Sequence, residues 1–169
     1  MTGHKSYNVL FLCTGNSARS ILAEVYMNAR GGGRFRAYSA GSQPTGRVNP
    51  RAIEALRSAG LPTENLRSKS WDEFAAPGAP QMDFIITVCD NAAGEVCPVW
   101  PGHPASAHWP FEDPAAATGS EEAIRRKFAE VFAAIGQRID LLAGLPLGSL
   151  DEQTLRKKLA EIGETGSPA

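Results

Sequence analysis

A short apolar segment that leads into a cysteine, a polar loop and a predicted helix constrains this chain more than any other feature. Residues 9–12 are apolar, with the β-branched Val9 at their start, which is typical of a buried strand. From Ser20 to Met27 the apolar side chains recur at helical spacing, so this stretch predicts a helix. Cys13 is the first residue after the strand. The sequence therefore predicts a strand–loop–helix unit with a thiol at the carboxyl end of the strand.

The loop has the composition of an anion-binding site. Successive N–H groups of a tight loop can converge on one anion, and the helix N-terminus adds its partial positive charge. Gly15 adopts a positive φ freely and Asn16 tolerates it, so the loop can wrap tightly. Arg19 supplies a planar guanidinium that matches two oxygens of a tetrahedral oxyanion. The predicted oxyanion-binding residues are consecutive in the chain: Thr14, Gly15, Asn16, Ser17, Ala18, Arg19 and Ser20.

Cys13 is the predicted nucleophile of this site. Loop N–H donors and the helix end favour the thiolate, so the thiol is expected to lose its proton near neutral pH. Ser20 can hydrogen-bond the sulfur and tune its reactivity. The alternative is a buried core thiol beside a solvated Arg19, which a bare cysteine–arginine spacing would leave open. The fuller pattern C-x-G-N-x-x-R-S, placed between a strand and a helix, favours catalysis.

With this motif the chain resembles the low-molecular-weight protein tyrosine phosphatase superfamily, over residues 7–143. The resemblance implies an α/β fold, a three-layer sandwich in which a four-stranded parallel sheet is flanked by helices. We predict a phosphatase-like domain at residues 1–145 and a C-terminal helical extension with a tail at residues 146–169.

Composition supports an ordinary globular α/β chain. The 169 residues are 43% hydrophobic and 21% charged, with a net charge of −1, so nothing suggests a nucleic-acid partner. The first residues lack the apolar core of a signal peptide, and no segment reaches membrane-spanning length. We therefore expect a cytoplasmic protein without a membrane partner. Thiols are kept reduced there, so the three cysteines suggest redox or catalytic use rather than structural disulfides.

Strand and helix signals alternate along the chain, which predicts a parallel sheet with crossover helices. The further predicted strands are residues 35–40, 83–89 and 108–111. The further predicted helices are residues 51–59, a short helix capped by Ser70, residues 121–143, and a last helix that ends near residue 162.

The second strongly apolar strand ends in Cys89, and Cys97 follows it. Because the carboxyl ends of parallel strands share one sheet edge, Cys89 and Cys13 could face the same crevice. Eight residues of continuous helix would separate Cys89 from Cys97 by about 12 Å. A disulfide needs Cα atoms roughly 4.4–6.8 Å apart, so this segment would have to bend, which Gly94 makes easier.

Two other interpretations of these cysteines remain open. Free cysteines are commonly buried, so Cys89 and Cys97 could be packing residues. A zinc site with His103 and His108 is the other, although no CxxC or HxxxH pair is present. We therefore predict no metal site.

Residues 88–98 resemble the relay segment of thioredoxin-coupled arsenate reductases within the same superfamily. The resemblance implies that Cys13 attacks arsenate and that Cys89 and Cys97 then pass on a disulfide, which thioredoxin reduces. The implied partners are an arsenate or phosphate oxyanion and thioredoxin, and no cofactor is expected.

Asp113 is the candidate general acid. It precedes Pro114, which favours an extended backbone and can aim the carboxyl group into the site. The family's acid is likewise an aspartate before a proline late in the chain, whereas an ordinary turn aspartate is the alternative. Phosphatases of this fold typically continue with aromatic residues. Ala115 and Ala116 follow here, which favours the reductase.

Three other functions stay open. A phosphomonoester or phosphotyrosine phosphatase would use the same Cys13, Arg19 and Asp113, because phosphate and arsenate share charge and shape. A glutathione- or mycothiol-coupled reductase differs only in its reductant, and a non-catalytic anion sensor would need no nucleophile. Relatives of this fold can also bind a monovalent cation near the loop, through groups that match Asn16, Glu24 and Ser39. We expect the ammonium of Lys69 to replace that cation here.

Overall fold

The described part of the chain is a parallel sheet with helices packed on it. The computed structural model describes residues 6–31, 33–88 and 104–164. Their strands are β1 (Tyr7–Leu12), β2 (Phe35–Ala40), β3 (Phe84–Thr87) and β4 (Ala105–His108). Their α-helices are α1 (Arg19–Arg30), α2 (Pro50–Ser58), α3 (Asp72–Ala75), α4 (Glu121–Ala143) and α5 (Glu152–Glu164). Short 3-10 turns occur at Pro114–Ala116 and Leu147–Ser149.

The strand order is β2-β1-β3-β4, and all three pairings are parallel. This confirms the predicted four-stranded parallel sheet with flanking helices. Because the strands are parallel, their carboxyl ends lie at one edge, and the loop that follows β1 emerges there between two neighbouring strands. The sheet therefore places Cys13 where ligands bind in open α/β folds.

The central strand β1 separates two cores. Val9 and Phe11 belong to a large core that includes residues from α1, α2, α4 and α5. Leu10 and Leu12 belong to a smaller core on the other face, with Phe74 of α3. Side chains alternate between the faces of a strand, so a strand covered on both sides is apolar at every position. This explains the unbroken apolar run that precedes the loop.

Several predicted elements are confirmed and two are corrected. The structure has the strand at 35–40 and the helix at 121–143, whose N-cap Ser120 accepts a hydrogen bond from the N–H of Ala123. The short helix α3 begins at Asp72, one residue later than a cap at Ser70 would place it. Trp71 takes the N-cap position, and the Ser70 hydroxyl accepts from the N–H of Asp72 at 3.1 Å.

The fourth strand was predicted at residues 108–111 but lies at 105–108. Its residues are small or polar, so they carry little hydrophobic signal. The apolar, aromatic Trp109 and Phe111 instead indicate a strand in the sequence. Both aromatic side chains are buried, yet they belong to the segment that leaves the sheet. Burial of that segment by other elements, rather than strand pairing, explains its apolar character.

The last helix packs on the edge strand β4. Leu159 and Ile162 of α5 are buried and contribute to the large core. The division of the chain near residue 145 stays a prediction. A membrane crossing would need a longer and more apolar helix than any that the described residues form.

Candidate active site

The loop between β1 and α1 is held open by hydrogen bonds to its carbonyl groups. These bonds measure 2.8–3.0 Å, and they join Thr14 to the N–H of Gln43, Gly15 to the N–H of Thr45 and Ser17 to the N–H of Asn49. In a trans peptide the following N–H points opposite to the carbonyl. The N–H groups of residues 15, 16 and 18 therefore point to the other, concave side of the loop, where an anion would accept from them.

The backbone and side chain of Asn16 stabilise the conformation of the loop. Its backbone has a φ of +45°, in the left-handed region that asparagine tolerates. The buried side chain donates from Nδ2 to Ser20 Oγ at 2.8 Å, and its Oδ1 accepts from the N–H of Lys69 at 2.9 Å. The side chains of Asn16 and Ser20 therefore support the loop and connect it to the backbone of Lys69.

The concave side of the loop forms a cavity of about 200 Å³. This is below the roughly 300–1,000 Å³ of sites for larger organic ligands. Its described lining consists of small side chains with one arginine and one aspartate: Cys13, Thr14, Gly15, Ser17, Ala18, Arg19, Asp113 and Ala115. A cavity of this size and polarity suits a small tetrahedral oxyanion.

Cys13 lies at the base of the cavity, directly after β1, and is only 6% exposed. Its N–H continues the sheet by donating to the Ala40 carbonyl at 3.2 Å. Helix α1 begins at Arg19, and among the described residues no side chain caps its N-terminus and no acidic residue occupies its first turn. The positive end of the helix is therefore available to an anion held against the sulfur.

Arg19 and Asp113 meet at the rim. Arg19 Nη1 donates to the carbonyl of Phe111 at 3.1 Å, and its Nη2 lies 3.6 Å from Asp113 Oδ2. Asp113 is half-exposed, and its Oδ1 accepts from the N–H of Ala115 at 3.0 Å, which caps the following 3-10 turn. These contacts place the predicted acid beside the predicted guanidinium, and both line the same cavity as Cys13.

Two of the predicted site residues cannot be located in the same way. Cys89 and Cys97, together with His103, lie outside the described residues. Their roles stay predictions. His108 is described, and its Nδ1 lies 2.8 Å from Thr87 Oγ1 at the end of the sheet.

Gly41, which follows β2 beside the loop, was not predicted to belong to the site. A Cβ at this position would lie 2.4 Å from the Thr14 carbonyl oxygen, 2.7 Å from that of Cys13 and 3.0 Å from the N–H nitrogen of Asn16. Only glycine allows the two backbones to approach this closely. A glycine directly after a strand was the available signal, but its meaning depended on knowing that β2 neighbours β1.

Lys69 lies behind the loop in a largely buried position, with 9% of its side chain exposed. Its Nζ is 3.7 Å from Glu24 Oε1 and donates to Ser39 Oγ at 3.4 Å and to the Arg67 carbonyl at 2.9 Å. Burial lowers the pKa of Lys69, and the nearby Glu24 carboxylate opposes that shift. The ammonium thus contacts two of the three groups predicted to hold a cation, as expected if it replaces one.

A wider groove of about 1060 Å³ lies between α2 and α4, away from the loop. Its described walls carry several alanines and charged side chains, among them Arg125, which pairs with Glu54. These walls contain neither cysteine nor histidine. The small cavity, not the large groove, therefore holds the reactive groups.

Comparison with known proteins defines the class to which this fold and loop belong. Residues 8–160 match the family described as low molecular weight phosphotyrosine protein phosphatase, and the chain belongs to that family. Within it, the chain is similar to bacterial arsenate reductases. The arsenate reductase of Bacillus licheniformis is 40% identical over 135 residues, which cover 80% of this chain and 94% of the relative.

Solved structures agree with this relationship. An arsenate reductase from Archaeoglobus fulgidus superposes with a TM-score of 0.61 at 32% identity, covering 81% of this chain and 99% of the other. An arsenate reductase in a phosphate-binding state superposes with a TM-score of 0.67 at 25% identity, covering 81% and 96%. The family and the fold of the chain are thus established together.

Proposed function

We propose that this chain reduces arsenate to arsenite. The observation that carries the proposal is the meeting of Cys13, Arg19 and Asp113 around one cavity of about 200 Å³. The relatives named as arsenate reductases support the choice of arsenate as the oxyanion. Ala115 at the cavity rim offers no aromatic ring against which an aryl ester could pack, which supports a free inorganic anion.

In the first step the loop N–H groups and Arg19 hold arsenate with its arsenic against the Cys13 sulfur. The Cys13 thiolate attacks arsenic, an S–As bond forms and an As–O bond breaks. Asp113 gives a proton to the departing oxygen, which leaves as water. Arg19 already reaches the acid-bearing segment, so binding of the anion and placement of the acid involve the same guanidinium.

The relay follows as one step that reduces arsenic and forms a disulfide, and then a thiol–disulfide exchange. The Cys89 thiolate attacks the Cys13 sulfur, and the electron pair of the S–As bond passes to arsenic, which leaves as arsenite. Cys97 then attacks Cys89 and expels the Cys13 thiolate, which leaves a Cys89–Cys97 disulfide. Thioredoxin supplies the two electrons that reduce this disulfide. The cytoplasmic location, where such a reductant is present, is part of the proposal.

The second candidate is a phosphatase, because the chain belongs to a phosphatase family and the anion loop is shared. Phosphate would form the same kind of adduct on Cys13, and water rather than Cys89 would resolve it. The two functions therefore differ in the fate of the adduct and not in how the anion is bound.

The deciding experiment measures both reactions on one preparation. NADPH oxidation is followed with thioredoxin and thioredoxin reductase, with and without arsenate, and p-nitrophenyl phosphate hydrolysis is followed in parallel. We expect arsenate-dependent NADPH oxidation that Cys13→Ser abolishes. Efficient hydrolysis without arsenate-dependent oxidation would instead establish the phosphatase. Retention of function by Cys13→Ser would favour the anion sensor.

A trapping experiment tests the relay. Peptide mapping of Cys97→Ser after one turnover should find a disulfide between Cys13 and Cys89. A Cys13–glutathione adduct as the sole product would contradict the internal relay and favour a glutathione-coupled reductase.

A further inference from the structure

The segment that carries Asp113 is attached to the last helix. Trp109, the first residue after β4, is completely buried. Its indole Nε1 donates to the carbonyl of Leu159 in α5 at 2.9 Å, in a buried hydrogen bond. On its other side the indole ring lies 6.4 Å from the ring of Phe11 in β1. Trp109 therefore joins α5 to the strand that ends at the nucleophile.

Gly163 brings the backbone of α5 directly against the same point. A Cβ at this position would lie 2.6 Å from the carbonyl oxygen of His108 and 2.8 Å from Cδ1 of Trp109. Distances this short leave no room for a side chain, so any residue other than glycine must push α5 away from the end of β4. The shorter distance is to a backbone atom and the other is to the buried indole ring, so neither contact can be relieved by rotating a flexible side chain.

Few residues separate this contact from the chemistry. The N–H of Trp109 makes the last sheet bond, to the Thr87 carbonyl at 2.8 Å. Two residues later the Phe111 carbonyl accepts from Arg19, and two residues beyond that Asp113 reaches the cavity. The ring of Phe111 also lies 4.7 Å from the guanidinium carbon of Arg138 in α4. The segment is thus held along its length, and α5 contacts it at the point where it leaves the sheet.

We propose that α5 is part of the catalytic unit, with Gly163 and Trp109 as positioning residues that set where the Asp113 carboxyl group stands over the cavity. The inference rests on the proposed role of Asp113 as the acid. It predicts that loosening α5 slows the chemical step while leaving the anion loop able to bind, because that loop is held by separate bonds from residues 43–49.

The test is a double-mutant cycle of Gly163→Ala and Asp113→Asn, with Gly148→Ala as the matched control. A Cβ at Gly148 would meet no atom within 4 Å, so the control makes the same chemical change in open space. Single-turnover arsenite formation by the pre-reduced full-length chain gives the chemical rate without the thioredoxin step. Initial p-nitrophenyl phosphate hydrolysis replaces it if that is the activity found. Phosphate protection of Cys13 against iodoacetamide, followed by mass spectrometry, measures anion binding.

We expect Gly163→Ala to slow the chemical rate about tenfold or more, since small misplacements of catalytic groups cost up to about 10²-fold. Phosphate protection should stay within about twofold of wild type, as should both readouts in Gly148→Ala. In the Asp113→Asn background the Gly163→Ala change should have no further effect on the rate, because that variant has no acid left to displace. A defect that acts independently of Asp113 would instead slow the chemical rate by the same factor in both backgrounds.

Other outcomes overturn the inference. An unchanged rate in Gly163→Ala, an equal loss in both backgrounds, or a loss of phosphate protection as large as the loss of rate would each refute it. If Asp113→Asn matches wild type, the proposed acid is wrong and this inference fails with it. Equal losses of rate in both backgrounds leave the role of Asp113 as the acid intact and refute only the role of α5. Should Gly163→Ala not fold, Trp109→Phe, which removes the indole donor, decides by the same criteria.

Discussion

Replacing Gly41 by alanine should disable the anion loop with little change elsewhere. The new Cβ would lie 2.4 Å from the Thr14 carbonyl oxygen, about 1 Å closer than the 3.4 Å of an ordinary contact. Gly41 and the Thr14 carbonyl both belong to the backbone, so the end of β2 or the loop must move by most of this 1 Å. Overpacking of this kind costs about 1–3 kcal/mol of stability. A shift of about 1 Å at reacting groups costs up to about 10²-fold in rate.

The measurements separate these two effects. Urea unfolding gives the loss of stability, and the phosphate concentration that protects Cys13 from iodoacetamide gives the loss of anion binding. We expect Gly41→Ala to need at least about tenfold more phosphate and to lose most of its turnover, because the N–H groups of the loop no longer converge. The variant should nevertheless remain folded, since the clash lies at the sheet edge rather than in a core.

Gly31→Ala is the matched control. Its Cβ would lie 2.8 Å from the Met27 carbonyl oxygen and 3.0 Å from Phe35 Cβ, at the opposite end of α1 from the loop. It should destabilise the protein to a similar degree while leaving phosphate protection and turnover within about twofold of wild type. Equal losses of binding in both variants, or normal phosphate protection in Gly41→Ala, would show that Gly41 does not set the loop geometry.

Four further predictions concern other parts of the site and the fold. Potassium titration should leave wild-type turnover nearly flat because the Lys69 ammonium already lies beside Glu24, and strong activation would contradict this. Burial lowers the pKa of Lys69 below its usual 10.5. Between the lowered pKa and 10.5 the unfolded state therefore binds more protons than the folded state. Urea unfolding should therefore show wild-type stability rising relative to Lys69→Met as pH increases through the lowered pKa toward 10.5, and a fall would refute the assignment. Asp113→Asn should lower the chemical rate by about 10²–10⁴-fold with phosphate protection of Cys13 unchanged, and a matching loss of protection would mean that it acts in binding. Ser120→Ala removes the N-cap of α4 and should cost about 0.5–2 kcal/mol in urea unfolding without altering turnover.

The local unit around Cys13 was predictable because its signals are local. An apolar run identifies β1, and its burial on both faces accounts for the missing polar alternation. Gly15 and Asn16 predict a tight loop, and Asn16 does adopt a positive φ, whereas Gly15 does not. Their meaning depends on residues within a few positions along the chain, so no knowledge of the tertiary fold is needed to recognise them.

The errors arose where a residue's role depends on a distant part of the chain. The fourth strand was placed three residues late because Trp109 and Phe111 are buried by contacts with α5 and α4, which do not depend on strand pairing. Gly41 was missed because its close partner, the loop after β1, lies nearly thirty residues away in the sequence. In both cases the determining contact joins elements that only the folded sheet brings together.

By itself the sequence determined the strand–loop–helix unit, the alternation of strands and helices, and the presence of a thiol, a guanidinium and a carboxyl group suited to one oxyanion. Hydrophobic periodicity and loop composition act over short stretches, so the amino-acid order is enough. The tertiary structure decided which of these groups meet. It brought Asp113 to within 3.6 Å of Arg19 across more than ninety residues, set Gly41 against the loop and placed α5 behind the acid-bearing segment. Such contacts depend on the order and register of strands, which no local pattern specifies.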